Sequence, residues 1–247
     1  MIDIQDLHKT FEDTQGGSYQ ALSAMTMQVN KGSIYGLVGV NGSGKTTLLK
    51  HIVGLYLPDK GSIAIDGSTL VNNAALKERV AFIPDELFFF RSYNCNRLKA
   101  FYKNMYPRFS EDRYHKLVEL LGINPKRTVA RFSKGMQKQV AFIFAMSIMP
   151  DLLVLDEPID GLDPIVRISI FNELIDDVAA RGTTVVVSSH NLKEMDGICD
   201  HVGIIKGGRM LKEAELDHLK AKHVTTTGET PSLDEIFVKI YSEKEAA

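Results

Sequence analysis

The segment Gly39-Val40-Asn41-Gly42-Ser43-Gly44-Lys45-Thr46, followed by Thr47, has the residue types and spacing that polyphosphate chemistry needs. Its glycines let backbone N–H groups curl around phosphate oxygens with no Cβ in the way, and a helix opening behind the loop adds positive potential. Lys45 supplies a point charge for the β- and γ-phosphates, and the Thr46 hydroxyl is a ligand for Mg2+. The spacing is the complete G-x-x-x-x-G-K-[ST] pattern of a phosphate-binding loop. A glycine-rich turn with a solvated lysine would explain the composition. It would not explain the apolar run at 34–38 before the loop or the helical pattern at 45–54 after it.

A second group of residues has the types that hydrolysis requires. Leu152-Leu153-Val154-Leu155-Asp156-Glu157 is an apolar run ending in two carboxylates. A buried parallel strand delivers both acids at its carboxyl end, where open α/β sheets bind ligands. Asp156 suits the metal-side carboxylate, and Glu157 suits a general base for an attacking water. Ser188-Ser189-His190 ends another β-branched run. Ser133 and Gly135 stand where a helix begins, and a helix amino terminus attracts anions. A strand-end histidine or an N-cap serine is ordinary when it stands alone.

Phe132-Ser133-Lys134-Gly135-Met136-Gln137 resembles the signature sequence of ATP-binding cassette (ABC) proteins, in the variant with Lys134 in place of the first of two usual glycines. The rest of that family's pattern falls in order along nearly the whole chain. Ile159-Asp160-Gly161-Leu162-Asp163 looks like the D-loop, with Asp163 at the aspartate that communicates between subunits. His190 looks like the switch histidine that contacts the γ-phosphate. Phe11 matches the aromatic that stacks on adenine, although Tyr19 has a suitable ring too. One position departs from the pattern. The family's Mg2+-touching glutamine is replaced in Val80-Ala81-Phe82-Ile83-Pro84-Asp85-Glu86 by Asp85, a carboxylate that can also bind Mg2+, and Glu86 stands beside it.

The resemblance implies a RecA-like P-loop NTPase core with an N-terminal antiparallel β-subdomain and an inserted α-helical subdomain. It implies ATP and Mg2+ as ligands, and a head-to-tail homodimer, or a pair with a paralogous ATPase subunit. Each site would take residues 39–47, Asp156, Glu157 and His190 from one chain and Ser133, Gly135 and Met136 from the other. It also implies a separate transmembrane permease, hence a place at the cytoplasmic face of the membrane. The subgroup it looks like is the bacterial ABC-2 or antibiotic-exporter type. The region of Phe88-Phe89-Phe90 would receive a short helix from that permease. The alternative is a soluble ABC-type ATPase acting on ribosomes or DNA, without the charged linker or coiled coil those members carry.

The elements that must position these residues are legible from periodicity. Ile2 and Ile4 alternate with polar residues, and Met25, Met27 and Val29 repeat at every second position, predicting strands. Further strands are predicted at 62–66, 152–155, 183–188 and 202–205. Helices are predicted at 96–105, 111–121, 134–149, 164–181, 192–198 and 213–222. Strand and helix in alternation imply a mostly parallel sheet covered by helices, an α/β class. Residues 1–223 are expected to form the ATP-binding domain, with 87–149 as its helical part and 224–247 as a tail. In that tail, 225–228 reads as a loop and Ser232-Leu233-Asp234-Glu235 as a capping box.

A net charge of −2 disfavours broad binding to nucleic acid. The two cysteines, Cys95 and Cys199, make no disulfide framework. The start of the chain lacks signal-peptide character. The longest apolar run, 140–149, is shorter than the roughly 20 residues a membrane span needs.

Overall fold

The computed structural model describes residues 1–12, 16–224 and 230–243. The chain opens with two antiparallel strands, β1 (Ile2–Glu12) and β2 (Ser18–Val29), and β4 (Lys60–Ile65) joins the far edge of β1. Between them come β3 (Ile34–Val38) and α1 (Lys45–Ile52). The short α2 (Ala74–Lys77) and β5 (Val80–Ile83) lead into the helical block of α3 (Cys95–Met105), α4 (Glu111–Leu120) and α5 (Lys134–Ser147). The chain then alternates through β6 (Leu152–Asp156), α6 (Pro164–Arg181), β7 (Thr184–Ser189), α7 (Leu192–Asp196) and β8 (His201–Lys206). It ends with β9 (Arg209–Glu215), α8 (Leu216–Ala221) and α9 (Leu233–Glu243).

Among the described residues the larger sheet has the order β5-β6-β7-β3-β8-β9. All neighbours in it are parallel except β8 and β9. Strands β3, β6 and β7 are buried along their whole length, which is why they read as unbroken apolar or β-branched runs. Side chains still alternate between faces. Leu152, Val154 and Val186 face a core shared with β1, β2 and α1, while Leu153, Leu155, Val185 and Val187 face a core shared with α5 and the other helices. Truncating one of these leucines to Ala removes about 2–5 kcal/mol of stability.

Local chemistry sets the helix boundaries. Asn94, Ser110 and Ser133 each accept, through the side-chain oxygen, from the backbone N–H three residues on, opening α3, α4 and α5. Asp163 accepts from the Ile165 N–H at 2.9 Å and opens α6, with Pro164 in its first turn. The capping box is reciprocal. The Glu235 N–H donates to Ser232 Oγ at 3.4 Å, and the Ser232 N–H donates to Glu235 Oε2 at 2.8 Å.

One expectation changes. The helix expected at 213–222 begins only at Leu216, because residues 213–215 pair with His201, Val202 and Gly203 as part of β9. Cross-strand pairing overrides the helix propensity of Glu-Ala-Glu. The loop expected at 225–228 lies outside the described residues. The tail helix α9 buries Leu233 and Ile236 in the same core as α5 and β6.

Candidate functional site

The parallel strands end at one edge of the sheet, and the chemistry-bearing residues follow those ends. β3 runs into the phosphate loop, whose last glycine, Gly44, has φ 108°. A Cβ there would lie 2.9 Å from the Ala21 carbonyl oxygen, so β2 packs against the loop and only glycine fits. Gly208, in the β8–β9 turn, closes the loop from another side by donating its N–H to the Ser43 carbonyl at 2.8 Å. Lys45 is buried, and its Nζ donates to the carbonyls of Gly39 at 2.7 Å and Val40 at 3.3 Å.

Asp156 is the last residue of β6 and pairs in register with Ser188 of β7. Ser188 Oγ donates to Asp156 Oδ1 at 2.6 Å, and it accepts the Glu157 N–H at 3.1 Å. The other Asp156 oxygen, Oδ2, is buried with no hydrogen-bond partner among the described residues.

Glu157 carries the most constrained backbone of the site. Its φ of 46° lies in the left-handed region, and Pro158 follows it. Such a conformation costs of order 1–3 kcal/mol in a non-glycine residue and persists only where surrounding contacts enforce it. The Ser188 hydroxyl holds the Glu157 N–H, and Lys138 Nζ on α5 donates to its carbonyl at 2.6 Å. The carboxylate is thereby aimed between two cationic or donor groups. Oε2 lies 3.0 Å from His190 Nδ1, and Oε1 lies 3.7 Å from Lys45 Nζ. His190 remains half exposed.

Beside these residues lies a cavity of about 490 Å³, lined by Asn41 to Thr47, Tyr19, Gln20, Ala21, Asp85, Glu157, Gly207 and Gly208. Phe11, the expected adenine platform, is not part of that lining, whereas Tyr19 is. The Phe11 ring packs behind, with its centroid 5.6 Å from Tyr19 and 5.3 Å from Tyr56, and with Lys9 Nζ 5.5 Å over its face. Asp85 does reach the cavity, but its Oδ1 is also 3.2 Å from Lys138 Nζ. Glu86 lines an adjoining cleft instead, together with Asp85, Lys134 and Asp160.

Ser133, Gly135, Met136 and Asp163 lie outside the lining of the phosphate-loop cavity in their own chain. Gly135 has a role visible within the chain, since a Cβ there would stand 2.7 Å from the Gly161 carbonyl oxygen. Its lack of a side chain lets the start of α5 press against the 159–163 loop. Sequence reasoning missed Lys138, Ser188 and the cavity-lining role of Gly207 and Gly208.

Residues 22–160, more than half of the chain, match the family described as "ABC transporter". The chain is 33% identical over 227 residues to the bacitracin transport ATP-binding protein BcrA of Bacillus licheniformis, covering 90% of this chain and 72% of that one. The chain belongs to the ABC transporter family. It is also 32% identical over 219 residues to the lantibiotic transport ATP-binding protein SrtF of Streptococcus pyogenes, covering 88% and 92% of the two chains. The solved structure of an ATP-binding subunit of an ABC transporter is similar over 98% of this chain and 99% of that one, with a TM-score of 0.85 and 27% identity.

As a member of the ABC family the chain is an ATPase with a P-loop NTPase core, and it binds and hydrolyses ATP. The matched segment contains the phosphate loop, Asp85, the Ser133 to Met136 signature, Asp156 and Glu157, and it ends before His190. Among the described residues no helix is long and apolar enough to cross a membrane.

Proposed function

We propose that this chain is the ATP-hydrolysing subunit of an exporter. Two copies, or one copy and a paralogue, close head to tail around ATP and Mg2+ at the cytoplasmic face of the membrane and drive a separate transmembrane permease. The observation that carries the hydrolytic half of this reading is the Glu157 carboxylate, held between Lys45 and His190 at the mouth of the phosphate loop. The relatives named for bacitracin and lantibiotic transport support a role in transport, and export as the direction rests on the resemblance to the antibiotic-exporter subgroup.

In this reading the loop amides and Lys45 bind the phosphates, and the Tyr19 ring takes the adenine. Water attacks the γ-phosphorus in line with the bond to the β-phosphate oxygen. Glu157 accepts the proton of that water, and the bond to the β-phosphate oxygen breaks to leave ADP and inorganic phosphate. His190 keeps the carboxylate oriented and offers a donor near the γ-phosphate. The buried Asp156 Oδ2, which has no hydrogen-bond partner among the described residues, and the Thr46 hydroxyl fit Mg2+, and Asp85 lines the same cavity as Thr46. When bound, the ion would neutralise phosphate charge.

Ser133 is exposed at the amino terminus of α5, and it points to a partner's ATP as the anion it receives. Lys134, Gly135, Met136 and Asp163 belong to the same face of the dimer in this reading. The permease contact is assigned to the Phe88–Phe90 region. Phe89 packs on the core and Phe90 lies 4.7 Å from the Tyr93 ring, while Phe88 is 87% exposed. A groove of about 270 Å³ runs beneath, lined by Phe88, Phe89, Tyr102, Tyr106, Ala141 and Ala145 among others, and it suits an apolar helix from a partner.

Light scattering tests the composite site. Glu157→Gln should run as a dimer with ATP and as a monomer without it. A monomer at every ATP concentration removes the head-to-tail reading.

A further inference from the structure

The chain contains a buried cation that the hydrolytic mechanism above does not use. Lys138 lies one turn into α5, and only 8% of its surface is exposed. A buried ammonium needs both hydrogen-bond acceptors and a counter-charge. It has one of each. The Glu157 carbonyl accepts from Nζ at 2.6 Å, and Asp85 Oδ1 stands 3.2 Å away. Both partners belong to functional segments, and neither is a neighbour of Lys138 in sequence.

The bond to the carbonyl falls on the residue with the strained backbone. At φ 46° and next to Pro158, Glu157 adopts a conformation that its own preferences oppose. With the Ser188 hydroxyl on its N–H and Lys138 on its carbonyl, both flanking peptide groups are fixed, and the side chain between them is aimed at Lys45 and His190. Loss of the Lys138 contact frees the carbonyl to rotate, and the carboxylate rotates with it. Asp85 sits on the wall of the phosphate-loop cavity and also lines the adjoining cleft, so its carboxylate is within reach of events in either.

We propose that Lys138 is a positioning residue for ATP hydrolysis, locking the Glu157 peptide in its left-handed turn, and that Asp85 sets the strength of the lock by supplying its counter-charge. This rests on the reading of Glu157 as the general base. The helical block and the catalytic carboxylate are thereby linked through one ammonium. Movement of the Asp85 segment away from Lys138 leaves that charge buried and unpaired, which loosens its hold on Glu157. A displacement of about 1 Å at a catalytic group is enough to slow a reaction on the order of a hundredfold.

The experiment compares Lys138→Met, Lys138→Arg, Asp85→Asn and the double variant Asp85→Asn/Lys138→Met in the full chain. Steady-state phosphate release, the Kd of a fluorescent ATP analogue and Tm are measured for each. The expected result for Lys138→Met is a kcat lowered roughly 10- to 100-fold with the analogue Kd within about twofold of the unaltered chain. Lys138→Arg, which keeps a charged donor, should recover most of kcat. Asp85→Asn should lower kcat less, and the double variant should be no slower than Lys138→Met alone, because the two residues act as a unit.

An unaltered kcat in Lys138→Met overturns the proposal. So does an equal loss of nucleotide binding without rescue by arginine, or strict additivity in the double variant. If Lys138→Met does not fold, Lys138→Arg and Asp85→Asn decide the matter: an unaltered kcat in Asp85→Asn, or a lower one restored by raising Mg2+, overturns it, and a lower kcat with retained analogue binding and an unchanged Mg2+ dependence supports it. Failure of the underlying reading is seen separately. Glu157→Gln with ordinary turnover removes the base, whereas an inactive Glu157→Gln beside a fully active Lys138→Met removes only the lock.

Discussion

His190 Nδ1 stands 3.0 Å from Glu157 Oε2, joining the residues that follow two neighbouring parallel strands, β6 and β7. A carboxylate accepts only, so the ring carries its proton on Nδ1 and donates it to Glu157. The His190 N–H points at the same oxygen from 3.4 Å. One residue therefore restrains the Glu157 carboxylate through both its backbone and its ring. His190→Ala should bind ATP with little change and lower kcat about a hundredfold, a size typical of lost positioning at a proton-transfer group. Phosphate release and nucleotide binding measured side by side check this.

Tyr19 and Phe11 are separated by a substitution pair. Tyr19 lines the cavity and is well exposed, while Phe11 supports it from behind. Tyr19→Ala should weaken ATP binding about three- to tenfold, the range of a lost ring–ring contact. Phe11→Leu keeps an apolar support and should weaken it by less than about twofold. The reverse order in a titration would return the adenine to Phe11.

The placement of these residues was largely legible, and their scaffolding was not. The phosphate loop declares itself because backbone approach to phosphate demands glycine at fixed offsets, and Asp156 and Glu157 declare themselves because a buried strand can end in acids only at the ligand side. The capping box at Ser232 and Glu235 is equally local. Lys138 gave no such signal: a lysine between Gln137 and Gln139 reads as a solvated helix position, and its burial depends on Asp85, distant in sequence. Gly207 and Gly208 read as a hairpin turn, which they are. Their second role, closing the phosphate loop, arises where β8 and β9 meet a loop more than a hundred residues earlier. At 213–215 good helix formers are held in β9 by pairing with β8, a tertiary effect that no local pattern carries.

His51 gives the protein a pH dependence of known sign. It lies in α1, and its Nδ1 donates to the Thr47 carbonyl at 2.7 Å. Burial pushes its pKa below the ordinary value of 6.5 and outweighs the upward pull of the Thr47 carbonyl; the Lys9 charge adds to the lowering, and the Leu57 carbonyl and Asp59 oppose it by less. The unfolded chain therefore binds a proton that the folded chain refuses, and stability rises with pH through this window. The contribution is fully present above the unfolded value and is lost as pH falls below it toward the folded one. Thermal melts of the unaltered chain should show Tm declining more steeply on acidification from pH 7.5 to about 5.5 than in His51→Gln. Equal slopes would remove His51 as the cause.

Phe88→Ser tests the proposed permease contact with little risk to folding, because the side chain is almost wholly in solvent. Phe88→Ser should keep Tm within a degree or two, as exposed substitutions change stability by no more than about 0.5 kcal/mol. It should also keep ATP-dependent dimerisation. Co-expression with candidate membrane subunits, followed by detergent extraction and pull-down, should recover the unaltered chain with its permease and lose most of the Phe88→Ser variant. Equal recovery of both moves the docking site elsewhere.

The central claim is that Glu157, aimed by its strained turn between Lys45 and His190, takes the proton of the attacking water. Single-turnover hydrolysis of γ-labelled ATP by Glu157→Gln tests it most directly, because amide replaces carboxylate with almost no change of shape. The variant should retain bound ATP and release labelled phosphate at about 1% of the unaltered rate or less. Release at a rate like that of the unaltered chain would contradict the account and remove Glu157 as the base.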